Sequence, residues 1–460
     1  MNRSAATLFS ALIVIFLLAC NSARIDIGQG SFTSQSNETI REFSEPRISF
    51  EDRTEELVGH AERLIAKNEK EGAVLDQRWY TFKRFGQYQD TIFSASQIVF
   101  YGGLEDDVRA NLPKHYESVV PLEKDQELGE IRLFSAKHAP AQHDLIIIGQ
   151  NGREVALKTI IRLIYLAGFT DPERERKYRD KLHSFKKSLR VFMSSRSARQ
   201  EFIDFFAKHG VSSPDTVMIG FIGDTRSLLK AEGIHDPELY SDESLRVNWF
   251  KNANGRKVLL VSIDHNRIYA SRSGELIEAI LAISESSPPK IVFLGSAGAI
   301  EDPSIVGRIV TPTMVLNGDP FPAVQHRGVL VHLIRNKAVA QGRIKTAHAS
   351  VENVFVETTQ WVGRMKRDRV TTVDQELFHI MKVVNSRDST QKVEIYVGIL
   401  VTDNVSSSAD ANTDMTLEHA EEAIAKTAST RREFLRSILT DLRLLKRDDI
   451  KSPQQKAIGY

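Results

Sequence analysis

Residues 291–300 read IVFLGSAGAI, and residues 306–313 read VGRIVTPT. The β-branched run that begins the first segment is typical of a strand buried in a parallel sheet. We predict that this strand opens after Leu294 into a loop of small residues, Gly295 to Gly298. There, backbone N–H groups and the Ser296 hydroxyl can approach a ligand closely. A tight strand-to-helix turn would use the same glycines for steric reasons alone, so the neighbouring segments decide between the two interpretations.

Four further segments show the same alternation of apolar runs and polar ends. Residues 217–223 (VMIGFIG) predict a strand with a glycine turn, and residues 254–262 (NGRKVLLVS) predict a hairpin strand. Residues 373–376 (VDQE) open an apolar helical stretch, and residues 393–404 (VEIYVGILVTDN) predict a strand that ends near Asp403. Strands that alternate with helices in this way predict an α/β fold with a doubly wound sheet.

These segments together resemble the superfamily of purine nucleoside phosphorylases and 5′-methylthioadenosine/S-adenosylhomocysteine nucleosidases, over residues 215–445 and in the family's order. The resemblance implies a doubly wound α/β domain with a central mixed sheet. It implies an enzyme that cleaves the N-glycosidic bond of a purine nucleoside-like substrate, without metal or cofactor and with phosphate as a possible co-substrate. Two other functions stay open: a catalytically inactive nucleoside-binding or sensory lipoprotein, and a structural envelope protein.

The resemblance assigns roles to four residues around the nucleoside. Asp403 matches the acid that protonates the departing purine, and a carboxyl group shielded from water can have the raised pKa that this role needs. Glu376 matches the glutamate that accepts hydrogen bonds from the ribose hydroxyls, and Gln375 replaces the methionine usual beside it. Phe355 matches an aromatic residue that stacks on the base. The structural alternatives are a capping or loop role for Asp403, a capping role for Glu376 and a core position for Phe355.

The resemblance also predicts a site for phosphate or for attacking water. Residues 223–228 (GDTRSL) lack the water-activating glutamate of the nucleosidases and are more similar to the phosphate loop of bacterial phosphorylases, although its proline is absent. Cationic charge without that glutamate slightly favours phosphorolysis over hydrolysis. The residues predicted at this site are Gly223, Arg226, Arg267, Gly295 and Ser296.

The first residues resemble the signal peptide of a bacterial lipoprotein. Arg3 is followed by an apolar run, residues 8–18, that is too short to span a bilayer. Residues 17–20 (LLAC) resemble a lipobox, and Cys20 is the only cysteine of the chain. We therefore expect a lipid anchor on Cys20 in the cell envelope, facing the periplasm, with the outer membrane favoured because Asn21 follows. The alternative is a plain cleaved signal or an uncleaved anchor, in which Cys20 is incidental.

The rest of the chain is predicted from its composition. Residues 21–46 are rich in Ser, Asn and Gly and predict a flexible tether, and residues 446–460 predict a frayed tail. Residues 47–210 predict a smaller α/β region of no family that we identify. The 61 basic and 60 acidic residues give no concentrated charge that would favour a nucleic-acid partner. Because relatives often borrow active-site residues from a neighbouring subunit, the resemblance is compatible with a homo-oligomer.

Overall fold

The computed structural model describes residues 48–72, 85–112, 116–122, 131–139, 142–150, 152–168, 188–231, 238–241, 245–252, 254–262, 268–284, 287–319, 344–386, 393–405, 425 and 427–444. All of them belong to one unit, Ile48–Tyr460. The predicted signal peptide with Cys20, the tether, Arg267 and the tail lie outside the described residues. Within the described residues, no helix combines the length and the apolar character that crossing a bilayer requires.

The first region contains a six-stranded mixed sheet. Its strands are β1 (Phe50–Asp52), β2 (Ile98–Gly102), β3 (Ser118–Pro121), β4 (Ile131–Ala139), β5 (Gln142–Gly149) and β6 (Leu189–Ser194). The order across the sheet is β1-β6-β2-β5-β4-β3. The central strand β2 runs parallel to β5 and β6, whereas β1, β3 and β4 pair antiparallel with their neighbours.

Among the described residues, four helices accompany this sheet: α1 (Thr54–Glu71), α2 (Gln89–Ser94), α3 (Glu105–Asn111) and α4 (Arg153–Gly168). Every residue of α4 from Glu154 to Leu166 is buried. A helix that is enclosed on all sides must pack against more than one layer. One side of α4 faces α1 and β2 of the first region, and the other side faces the second region, as described below.

The second region contains a nine-stranded mixed sheet. Its strands are β7 (Thr216–Gly220), β8 (Glu238–Ser241), β9 (Arg246–Lys251), β10 (Lys257–Val261), β11 (Lys290–Ala299), β12 (Ile309–Asn317), β13 (Ile344–Ser350), β14 (Val370–Asp374) and β15 (Ile395–Asn404). The order is β14-β13-β12-β15-β11-β7-β10-β9-β8. Because β11 also pairs with β14, the five strands β11, β14, β13, β12 and β15 close into a ring.

Helices cover both faces of this sheet. They are α5 (Ala198–Lys208), α6 (Ile222–Ala231), α7 (Ala270–Ala282), α8 (Thr359–Arg367), α9 (Leu377–Asn385) and α10 (Ala428–Asp441). Phe293 of β11 packs in one apolar cluster with α5, α7 and α9, and the adjacent Leu294 packs in another cluster with α6 and α10. The predicted α/β fold with a central mixed sheet, preceded by a further α/β region, is confirmed.

The two regions share one apolar core. Leu57 of α1 and Ile161 of α4 belong to the same buried cluster as Ala349 of β13, Phe355 and Trp361. The indole of Trp361 also donates a hydrogen bond to the Gly318 backbone oxygen at 2.7 Å. Burial of this area is what holds the first region against the ring of strands, because apolar contact is the dominant favourable term in such packing.

Two details of the sequence-based expectation are wrong. The predicted loop at Gly295 to Gly298 is part of β11, because Gly298 and Ala299 pair with β14 on one side and with β15 on the other. The predicted glycine turn at Gly223 lies three residues earlier, where β7 ends at Gly220. Residues 223–228 therefore belong to helix α6 and not to a loop.

Candidate active site

The carboxyl ends of the central strands meet at one edge of the second sheet. Strands β7, β10, β11 and β15 run parallel to one another, so their last residues lie on the same side. In open α/β sheets this edge is where ligands bind. Ser296 is the one exposed residue of β11, whose neighbours are buried. Its hydroxyl therefore lies at an accessible point of this edge.

Asp403 lies directly beside β11, opposite Gly298. A Cβ atom on Gly298 would lie 2.9 Å from Asp403 Oδ2 and 2.3 Å from Val405 Cγ2, so only glycine leaves room for this carboxyl group. Thr402 donates a hydrogen bond to Asp403 Oδ1 at 2.7 Å. The Asp403 side chain keeps some accessible surface, yet protein surrounds it over the longer range that governs charge solvation. This burial raises its pKa.

Gln375 and Glu376 lie close to the same edge. Strand β14 runs antiparallel to β11 and places Val373 opposite Gly298, so the residues that follow Val373 continue toward Ser296. Asp403 and the pair Gln375–Glu376 therefore flank β11 from its two sides. The backbone pairing of the ring brings together residues that the sequence predicts for the acid, the sugar and the nucleophile.

Asp374, and not Glu376, caps helix α9. The Asp374 carboxylate accepts hydrogen bonds from the backbone N–H groups of Glu376 and Leu377, each at 3.2 Å. Ser350 donates a further hydrogen bond to it at 2.5 Å. Glu376 is buried and makes no side-chain capping bond to α9, and its Oε2 accepts from the Gln375 N–H at 3.2 Å. Asp374 therefore makes the capping contacts that the structural alternative assigned to Glu376.

Two ionisable residues at this site were not predicted from the sequence. Lys158 of α4 is buried, donates a hydrogen bond to Gln375 Oε1 at 2.9 Å, and has its Nζ 4.2 Å from the centroid of the Tyr269 ring. Glu357 is buried, and desolvation together with the nearby Asp403 raises its pKa to about 8, although Lys158 acts in the opposite direction. A lysine inside the apolar run of residues 155–166 was the signal that could have identified the first of them.

Phe355 lies in the shared core. Its side chain is 1% exposed, and its ring centroid is 6.3 Å from that of Tyr165 on α4. This position agrees with the core alternative. Base stacking by Phe355 would require the surrounding side chains to move aside.

The residues predicted to bind phosphate lie on two different elements, β11 and α6. Gly295 is required by packing, since a Cβ atom there would lie 2.8 Å from the Phe293 ring. Gly223 and Arg226 lie on α6, which begins beside Gly295 because Gly220 pairs with Leu294. Asp224, in the first turn of α6, binds Arg431 of α10 at 2.6 Å. The structure therefore places one end of α6 at the site, while its acidic first turn is already paired.

No metal centre is found in the part of the chain that the structure describes: no group of three or more His, Cys, Asp or Glu side chains is arranged to hold an ion.

Several carboxyl groups close to α4 are desolvated. Burial raises the pKa of Asp319 to about 7 and that of Glu352 to about 8. Arg153 pairs with Glu352 at 3.3 Å.

These raised pKa values predict how stability depends on pH. Asp319, Glu352 and Glu357 hold protons in the folded state that the unfolded chain has already released, so the free energy of unfolding should fall as the pH rises from about 6.5 to about 8.5. Burial lowers the pKa of His60 to about 4, so the titration of His60 affects stability below this window. The measurement is urea unfolding at the two ends of the window.

The variant Glu357→Gln isolates one contribution to this slope. It should lose less stability over the same window than the wild type, because glutamine does not titrate. Glu433→Gln, at an exposed position of α10, is the matched control and should keep the wild-type slope. An unchanged slope in Glu357→Gln would show that Glu357 ionises at its ordinary pKa.

Comparison with known proteins finds similar solved structures but no matching family. No family profile matches the chain, and no curated protein matches it. Among solved structures, it is similar to a 5′-methylthioadenosine/S-adenosylhomocysteine nucleosidase from Neisseria meningitidis, at 18% identity over 48% of this chain and 99% of that one, with a TM-score of 0.36. It is also similar to futalosine hydrolase of Helicobacter pylori, at 17% identity over 51% and 99%, with a TM-score of 0.38.

A third similar structure is a methylthioadenosine phosphorylase from an antarctic soil metagenomic library, at 12% identity over 52% of this chain and 90% of that one, with a TM-score of 0.36. Such low identities and TM-scores carry no functional argument.

Proposed function

We propose that this protein cleaves the N-glycosidic bond of a purine nucleoside-like substrate. The observation that supports this proposal most strongly is Asp403: a carboxyl group with a raised pKa, partly accessible, at the carboxyl end of β15. A purine leaves readily only when its N7 is protonated as the bond breaks. An acid that keeps its proton nearer to neutral pH is suited to that transfer.

Glu376 supports the sugar side of the proposal. As the glycosidic bond breaks, positive charge develops on the ribose ring, and a carboxylate that binds the ribose hydroxyls favours that state. Asp374 caps α9, so the Glu376 carboxylate is not required for the helix terminus. In this proposal the Asp403 proton moves to the purine, and Glu376 holds the sugar.

The nucleophile is proposed to be phosphate. The Ser296 hydroxyl is exposed, and α6, which carries Arg226, begins beside Gly295. Hydroxyl groups, backbone N–H groups and a guanidinium are the donors that bind phosphate oxygens. No glutamate stands in residues 223–228 to activate water.

We therefore expect base release to depend on phosphate and to yield ribose 1-phosphate. The full-length protein in detergent would be incubated with purine nucleosides at increasing phosphate concentrations, and the base and the sugar product would be quantified. Sulfate at equal ionic strength is the control and should not support turnover. Equal rates without phosphate, with free ribose as the product, would assign the reaction to hydrolysis.

The second candidate function is nucleoside binding without turnover. It is favoured by one observation: residues 223–228 are helical, and the acidic first turn of α6 is paired with Arg431. Saturable binding of a nucleoside in calorimetry, without base release with or without phosphate, would support this candidate. The place of action that the sequence predicts, the cell envelope, stays a proposal in either case.

A further inference from the structure

Helix α4 of the first region reaches the candidate active site through two side chains. Glu154 and Lys158 are four residues apart and therefore lie on one face of the helix. The Glu154 carboxylate accepts hydrogen bonds from the backbone N–H of Ser271 at 3.1 Å and from its hydroxyl at 2.5 Å. Lys158 donates to Gln375, one turn further along. Both contacts join α4 to the second region.

The burial of Lys158 indicates that its position is specific. Its relative exposure is 4%, and a buried ammonium group is unfavourable unless partners replace the lost water. The partners found here are the Gln375 amide oxygen and the face of the Tyr269 ring, with the Glu357 carboxyl group nearby. Since Gln375 and Glu357 both come from the loops at the site, Lys158 is held by the site itself.

A short series of contacts leads from Lys158 to the sugar-binding residue. Lys158 Nζ donates to the side-chain oxygen of Gln375, and the backbone N–H of Gln375 donates to Glu376 Oε2 at 3.2 Å. The side chain and the backbone of Gln375 are thus both engaged. If the Gln375 side chain were released, the peptide that orients the Glu376 carboxylate would lose one of the contacts that fix it, leaving those of Asp374 and Ser273.

We propose that Lys158 is a positioning residue of the active site, which fixes Gln375 and through it Glu376, so that the first region forms one wall of the site. This inference rests on the function proposed above. It gives residues 47–210 a role: their helix α4 supplies a residue that the second region lacks. Lys158 acts on the sugar contact and does not touch the scissile bond.

The test is a double-mutant cycle with Lys158→Met and Gln375→Met. Methionine keeps the length of both side chains, and the pair removes the hydrogen bond without leaving a buried polar group unpaired. Lys158→Met alone should raise KM for the nucleoside and lower kcat/KM by about tenfold, because it leaves Gln375 without its donor. The double variant should return to the kcat/KM of Gln375→Met alone.

The control is Lys208→Met, at an exposed position at the end of α5, which should match the wild type. Urea midpoints of all variants show whether they fold. A Lys158→Met protein with wild-type kinetics, or strictly additive effects in the cycle, overturns the inference while base release by the wild type still supports the proposed function. A wild-type protein that neither binds nor cleaves nucleosides overturns the proposed function, and the inference with it.

Discussion

Replacing Asp403 with asparagine should slow base release from natural purine nucleosides by about 10²- to 10⁴-fold, the usual contribution of a general acid. Asparagine keeps the size of the side chain beside Gly298 and can still contact Thr402, but it has no proton to transfer. Nucleoside binding should therefore persist, and the loss should appear in kcat. The measurement is steady-state kinetics on purine nucleosides with phosphate present.

A change of substrate separates the acid from other roles of Asp403. In a nitrophenyl riboside, the nitrophenolate group leaves without needing a proton from an acid. Asp403→Asn should therefore cleave this substrate at nearly the wild-type rate. Glu376→Gln should remain slow on both substrates, because the sugar needs the carboxylate in each case. The control Asp368→Asn, at an exposed position after α8, should be unaffected. Full activity of Asp403→Asn on purine nucleosides would remove Asp403 from the mechanism.

The second large effect is expected on stability, at Gly220. This residue ends β7 with a φ of +119°, a conformation that residues with side chains rarely adopt, and a Cβ atom there would lie 1.9 Å from the Leu294 backbone oxygen. The clash is with the neighbouring strand and cannot be relieved by a side-chain rotation. Gly220→Ala combines backbone strain with overpacking, so it should lower the free energy of unfolding by about 3–5 kcal/mol.

Gly223→Ala is the matched control for this prediction. Gly223 lies in the first turn of α6 and is exposed, and a Cβ atom added to it would meet no other atom within 4 Å. Alanine favours the helix over glycine by about 1 kcal/mol, less near the terminus, so the variant should be neutral or slightly more stable. Urea unfolding of the two variants against the wild type tests both statements. Equal stability of Gly220→Ala and Gly223→Ala would contradict the geometry at Gly220.

Local patterns were sufficient to predict β7, β10, β11 and β15 of the second region. The β-branched runs of β11 and β15 indicate buried parallel strands, and the order of motifs places Asp403 at a strand end. The extent of β11 could not be predicted, because the pairing of Gly298 and Ala299 with β14 involves residues more than 70 positions away in the chain, a separation of about one small domain. The pattern of residues 295–298 contains nothing that indicates a partner strand so far along the chain.

Contacts between the two regions were also invisible in the sequence. Lys158 and Gln375 are 217 positions apart. A lysine within an apolar run indicates a buried partner, but the sequence does not say which residue that partner is. A long separation along the chain also explains why the role of Phe355 differs from the expectation. Its motif predicts a base contact, but its ring packs on Tyr165 of α4. Side chains that meet across regions depend on how the regions dock, which local propensity does not specify.

The shared core has a consequence for how such a chain can change over evolutionary time. Leu57 and Ile161 of the first region pack in one cluster with Phe355 and Trp361 of the second, so each region completes part of the other's apolar interior. Exchange of one region for an unrelated module by recombination would expose this cluster, a cost that domains joined only by a linker do not carry. We therefore expect the two regions to accept substitutions at this cluster in concert.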